Sequence, residues 1–85
     1  MVLRFLYTAR AKKELRSVPS ADREKIVSRV EAYAADPDAP QHDVRSLVNM
    51  PIGYRLRVGD WRVLFDIEDN EMHICRVVHR REAYR

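Results

Sequence analysis

The spacing of apolar residues changes period along this 85-residue chain, and the changes mark its elements. Val2 to Leu6 predicts a short strand, and Thr8 is a suitable N-cap for a helix reaching about Val18, with Ala11, Leu15 and Val18 on one stripe. Pro19 ends that helix. Ser20 is placed to cap a second helix, with Asp22 and Glu24 in its first turn, where negative charge suits the macrodipole. Ile26, Val27, Val30, Tyr33 and Ala34 recur at helical spacing, so the two helices form a hairpin joined by Val18-Pro19-Ser20. After the turn-rich Asp36-Pro37-Asp38-Ala39-Pro40 the pattern becomes mixed. Val44 and Leu47 are placed near the start of a sheet, and Asn49 to Gly53 reads as irregular. Strand patterns then follow at about Tyr54–Val58, Trp61–Ile67 and Met72–Val78, joined by Gly59-Asp60 and a turn around Asp69-Asn70.

The order is β-α-α-β-β-β. It predicts an α+β fold with an N-terminal strand, a helical hairpin and a small, mainly antiparallel twisted sheet, in a single domain spanning 1–85. The hairpin is expected to cover one sheet face through Tyr54, Leu56, Val58, Trp61, Val63, Phe65 and Ile67. Arg55, Arg57 and Arg62 fall on the other. With a two-residue turn at Gly59-Asp60, Arg57 lies directly across from Arg62. Facing like charges cost roughly 0.2–1 kcal/mol, so a phosphate bridging them is the simplest reason to keep both.

Charge sharpens this picture. The net charge is only +3, but of sixteen basic residues thirteen are arginine, and every cation from Arg29 onward is arginine. Arginine offers a planar fork of donors that matches phosphate and stacks on bases, which points to nucleic acid; a genome rich in arginine would give the same bias. Lys12, Lys13, Arg16, Arg23, Lys25 and Arg29 read as solvated helix surface. The chain is too short to enclose a cavity beside its core, so any site is expected on an open surface. The lone Cys75, within an apolar run, allows no disulfide framework and reads as core filler. No apolar stretch approaches the ~20 residues of a membrane span, and the N-terminus resembles no secretory signal. A cytoplasmic protein without a membrane partner is expected.

The C-terminal run Val78-His79-Arg80-Arg81-Glu82-Ala83-Tyr84-Arg85 carries three arginines, a histidine and a tyrosine. The last strand delivers it beside the previous one, bringing Arg81 and Tyr84 within reach of Arg57 and Arg62. A tyrosine among cations has its phenolate favoured, which suits a base. His79, at the strand end, is assigned a structural role. The odd spacing of His73, Cys75 and His79 places all three on one side of a strand, but six residues of extended chain span ~20 Å, too far to share one metal ion. Asp66 across from His73 accounts for that histidine more simply, and Trp61 opposite Val58 reads as a core anchor.

Tyr54-Arg55-Leu56-Arg57-Val58-Gly59-Asp60-Trp61-Arg62-Val63, together with the C-terminal run and the β-α-α-β-β-β order, resembles the RelE/ParE superfamily of toxins from type II toxin–antitoxin modules. The RelE-like branch is favoured. That resemblance implies a ribosome-dependent mRNA endonuclease that cuts A-site codons through the message's own 2′-hydroxyl and needs no cofactor. It also implies a cognate antitoxin whose helical segment covers the toxin, and contact with operator DNA only through that complex. By position, Arg57, Arg62, Arg81 and Tyr84 match catalytic residues. Arg62 corresponds to the clamp on the scissile phosphate, Arg81 to the group that stabilises the transition state or protonates the leaving 5′-oxygen, and Tyr84 to the base-stacking residue that deprotonates the 2′-hydroxyl. Arg55, Arg80 and Arg85 are assigned to RNA binding. The best-known RelE toxin has lysines where this chain has Arg55 and Arg57; arginine, with a pKa above ~12, is a poor proton-transfer group. Two other readings stay open: a ParE-like inhibitor of DNA gyrase, and a non-catalytic nucleic-acid-binding module that uses the same arginines without depending on Tyr84.

Overall fold

Residues 2–83 are described by the structure, a computed structural model. Strand β1 (Arg4–Tyr7) is followed by helices α1 (Ala9–Arg16) and α2 (Ser20–Ala35), then by strands β2 (Val44–Ser46), β3 (Tyr54–Val58), β4 (Trp61–Glu68) and β5 (Glu71–His79). The strands form one sheet in the order β1-β5-β4-β3-β2. β1 runs parallel to β5, and the other neighbours are antiparallel. The α+β architecture is as expected, with one strand, β2, beyond the expected order.

Local chemistry explains most boundaries. Thr8 Oγ1 accepts from the Ala11 amide at 3.2 Å and donates to the Cys75 carbonyl at 3.3 Å, so the α1 cap also ties the helix to β5. At α2 the expectation needs correction. Pro19 occupies the N-cap position, its carbonyl accepting from the Arg23 amide at 2.8 Å, and Ser20 is the first helical residue. Asp22 in that first turn accepts from Trp61 Nε1 at 3.1 Å and pins the helix start to the β3–β4 hairpin. The hairpin turns follow their residues: Gly59 alone has positive φ (57°) in the first, as a II′ turn requires, and Asp69 and Asn70 both have it (51° and 62°) in the second, as I′ requires.

Both helices lie on one face of the sheet. Ile26, Val30, Tyr33 and Ala34 from α2 and Ala11 from α1 pack with Leu56, Val58, Val63, Phe65, Met72, Ile74 and Val77, while Tyr54, Trp61 and Ile67 flank them. Phe65 is central, its ring 5.3 Å from Tyr33 and 5.4 Å from Tyr54, the latter stacked.

A β-bulge at Cys75 shifts the phase of β5: Phe65 pairs with Ile74, but Leu64 pairs with Arg76. Before the bulge, Met72 and Ile74 face the helices; after it, Val77 does, and Arg76 and Val78 turn to the opposite face. His79, opposite Trp61, therefore faces the helical side, with its ring 5.4 Å from the indole. The expectation that His73, Cys75 and His79 share one side fails at this bulge. Cys75 is half-buried on the open side, its Sγ 3.4 Å from the His73 carbonyl and 4.0 Å from Asp66 Oδ2, rather than in the core.

Where β1 stops, α1 takes over the edge of β5. Glu14 accepts from the Val77 amide at 3.0 Å and from Arg76 Nε and Nη2 at 2.9–3.1 Å. The carboxylate thus replaces a missing neighbouring strand and raises the guanidinium pKa of Arg76 through those hydrogen bonds. Glu14→Ala should leave the Val77 amide and the guanidinium without partners and cost about 2 kcal/mol, discounted for their partial exposure, in urea unfolding.

Candidate functional site

The face away from the helices is organised in rows across the strands. One row runs Arg45, Arg55, Leu64, Arg76 and the next Arg57, Arg62, Val78. Asp43 lies at the β2 end of the second row, its carbonyl accepting from the Arg57 amide at 2.9 Å. A third row contains Leu47, Gly53, Asp66 and His73. Gly53 is required there because its amide donates to Asp66 Oδ1 at 2.7 Å, and an added Cβ would meet that oxygen at 3.0 Å. Leu64, Val78 and Ala83 form a small apolar patch flanked by Leu47 and Ile52. This second cluster is buried, Leu64, Val78 and Ala83 each being 4–6% exposed, so Leu47, Ile52 and the chain at Ala83 cover the middle of the face and leave Arg45 and Arg57 exposed beside it.

The facing pair Arg57 and Arg62 is present in the expected register. The two side chains behave differently. Arg57 is exposed and has no ion pair or side-chain hydrogen bond among the described residues. Arg62 is only 9% exposed and folds back on the turn, its Nη1 donating to the Gly59 carbonyl at 2.8 Å and the Trp61 carbonyl at 3.0 Å. These bonds relieve the like-charge repulsion without an added anion. They also occupy the two Nη1 donors and leave the Nε and Nη2 edge without a partner among the described residues.

The other candidates are placed as follows. Arg55 is largely buried, and its Nη2 pairs with Asp43 Oδ1 at 3.2 Å while its Nε is buried without a partner. Arg80 continues the β4–β5 ladder through its amide, which donates to the Asp60 carbonyl at 2.7 Å, and its guanidinium lies 3.6 Å from the Asp60 carboxylate in solvent. Arg81 is exposed, and its amide donates to His79 Nδ1 at 3.3 Å, which gives His79 a structural role at the strand end. Ala83 is buried against Leu64 and Val78, so the tail bends back onto the arginine face. Tyr84 and Arg85 lie outside the described residues.

The sequence reading missed Arg45. It is exposed, directly across from Arg55 on the open face, and has no ion pair among the described residues. Its signal was weak, because Val44-Arg45-Ser46 is too short to show a strand period. A groove of about 460 Å³ lies elsewhere, at the end of the sheet between α1 and β5, lined by Lys13, Glu14, Val18, Trp61 and His79 among others. Among the described residues no three His, Cys, Asp or Glu side chains are grouped to hold a metal ion.

Two tests follow from this geometry. Arg62→Met should cost about 1–3 kcal/mol in urea unfolding, because a charged donor to two turn carbonyls is lost. Burial, and then Asp66, push the Cys75 thiol above its ordinary value. At a fixed mildly alkaline pH its thiolate fraction is therefore lower, and alkylation by iodoacetamide should be slower in the native protein than in urea. Equal rates in the two states would remove that account of Cys75.

No curated protein sequence matches the chain. Solved structures do. The toxin in an archaeal RelE–RelB complex from Pyrococcus horikoshii OT3 is 25% identical, with 98% of this chain and 100% of that one covered and a TM-score of 0.78. A RelB–RelE antitoxin–toxin complex from Methanococcus jannaschii gives 23% identity over 93% of this chain and 94% of that one, TM-score 0.75. The RelBE2 toxin–antitoxin complex from Mycobacterium tuberculosis gives 20% over 93% and 99%, TM-score 0.77. The family model described as the ParE toxin of the type II toxin–antitoxin system parDE matches residues 5–84. With nearly its whole length matched, the chain belongs to the ParE toxin family, within the RelE/ParE superfamily of toxins from type II toxin–antitoxin modules.

Proposed function

We propose that this toxin is a ribosome-dependent mRNA endonuclease whose substrate lies across the open face of the sheet. The observation that supports the reading is exposed Arg57 directly opposite Arg62 on the face away from the helices, with the C-terminal segment packing beside them at Ala83. The scissile phosphate sits between the two guanidiniums, held by Arg57 and by the Nε and Nη2 edge of Arg62. The message's 2′-hydroxyl gives its proton to the Tyr84 phenolate and attacks that phosphorus, the P–O5′ bond breaks to leave a 2′,3′-cyclic phosphate, and the departing 5′-oxygen takes a proton from water, so the step calls on no metal or cofactor. Fixed cations near the phosphate stabilise the charge that develops during attack. Arg81 serves the leaving oxygen electrostatically, since arginine is a poor proton donor. Tyr84 is the candidate base and stacking residue, while Arg55, Arg80 and Arg85 steer the backbone. The site of action is the cytoplasmic ribosome.

A second reading, inhibition of DNA gyrase, is favoured by the ParE family match itself. On that reading the arginines engage a protein or DNA surface and no bond is cut. In vitro translation with primer-extension mapping of message 5′ ends separates the two. Cleavage at A-site codons is expected, falling at least tenfold in Arg81→Ala and Tyr84→Phe, as for loss of an electrostatic or acid–base group. Arg57→Gln should also cut less while unfolding normally, because its guanidinium makes no structural bond. Intact message together with arrested gyrase supercoiling would establish the second reading instead.

A further inference from the structure

We infer that Arg45 and Arg55 form a second phosphate subsite beside the Arg57–Arg62 pair, and that Asp43 occupies it until a polyanion displaces it. The inference rests on reading the open face as a nucleic-acid backbone site, and it deepens that reading.

Arg45 and Arg55 are direct cross-strand partners, as Arg57 and Arg62 are, so the face holds two facing arginine pairs and not one. Arg55 and Arg57 lie two residues apart on β3, about 7 Å along the strand, so the pairs are neighbours on one surface. Arg62 and Arg55 have structural partners in the turn carbonyls and Asp43, but Arg45 and Arg57 have none among the described residues, and a guanidinium matches a phosphate better than it matches the cation facing it. Asp43 is the only carboxylate paired with any of these four arginines among the described residues. Its bond is single: one Arg55 Nη2 donor at 3.2 Å, with the Arg55 Nε buried and unpartnered. The carboxylate itself is half exposed, at 47%, against 12% for the arginine. An exposed carboxylate on a held arginine is an exchangeable counter-ion. A phosphate at the same place can take Arg55 and Arg45 together, which Asp43 in the observed arrangement does not.

The test is fluorescence anisotropy with a non-cleavable 2′-O-methyl oligouridylate of about eight nucleotides, titrated between ~50 and ~200 mM salt. Arg45→Gln should flatten the slope of log affinity against log salt by about 0.7, one single-strand phosphate contact. Asp43→Asn should tighten binding about twofold to fivefold, the range expected for removing one partly exposed ion pair. That gain should vanish in an Arg55→Gln background, whereas a diffuse change of net charge would persist there. Positions 43 and 45 are exposed, so both single variants should unfold as the parent does. Arg45→Gln and Asp43→Asn binding like the parent, with Arg57→Gln still weakened, would overturn the second subsite and leave the backbone reading standing. A gain in Asp43→Asn that survives Arg55→Gln would overturn the counter-ion role. The full pattern without any cleavage in translation would uphold the subsite and reject the nuclease.

Discussion

One constraint governs this molecule: two helices must cross from one edge of a five-stranded sheet to the other, and they can do so on only one side. β1 lies at one edge and β2 at the other, so the helices that connect them span four strand spacings, about 19 Å. The sixteen residues of α2 supply about 24 Å, enough for a single crossing. Among the described residues no helix covers the second face, which is shielded only in its middle by Leu47, Ile52 and Ala83. Residues that alternate along β3 and β4 are thereby divided by chemistry: leucine, valine and phenylalanine beneath the helices, and Arg55, Arg57 and Arg62 with Leu64, Asp66 and Glu68 outside.

The bulge at Cys75 adjusts that division where it matters. Without it, β5 would direct Arg76 and Val78 toward the helices and Val77 away from them. With it, Val77 fills the core, Val78 joins Leu64 and Ala83 as an apolar platform among the arginines, and Arg76 reaches Glu14 at the sheet edge. One extra residue therefore supplies the tail's landing place and secures the edge that β1 leaves uncovered. A partly buried thiol suits the bulge, being small and needing no strong hydrogen bond.

Much of this was legible in the residues. Gly59-Asp60 fixes a two-residue turn, the turn fixes the register, and the register places Arg57 against Arg62. Thr8, the helical spacing of Ile26, Val30 and Tyr33, and the alternation of β3 and β4 were equally direct. What could not be read depends on contacts distant in sequence. The short β2 exists because Val44 meets the helix-side core and Arg57 donates to the Asp43 carbonyl, not because Val44-Arg45-Ser46 has a period. Missing that strand meant missing Arg45. The bulge hides for a similar reason, since an unbroken apolar run gives no sign that its phase shifts, and the Glu14–Arg76 clamp joins residues 62 positions apart.

Arg62 shows why family position and local physics must be weighed together. The proposed phosphate clamp and its bonds to the Gly59 and Trp61 carbonyls are compatible, because a guanidinium has two usable edges and each role takes one. The turn carbonyls hold the side chain in place before any substrate arrives, so little side-chain entropy remains to be lost on binding. Lysine at this position would keep the charge and lose the second edge. Arg62 and Arg55 are always charged and held, by the turn carbonyls and by Asp43, while Arg57 and Arg45 have no partner among the described residues; on the proposed reading the held pair supplies a fixed field and the unpaired two close on the phosphate. On the proposed nuclease reading, arginines that transfer no proton hold the backbone from the sheet, and the acid–base step is left to groups outside it.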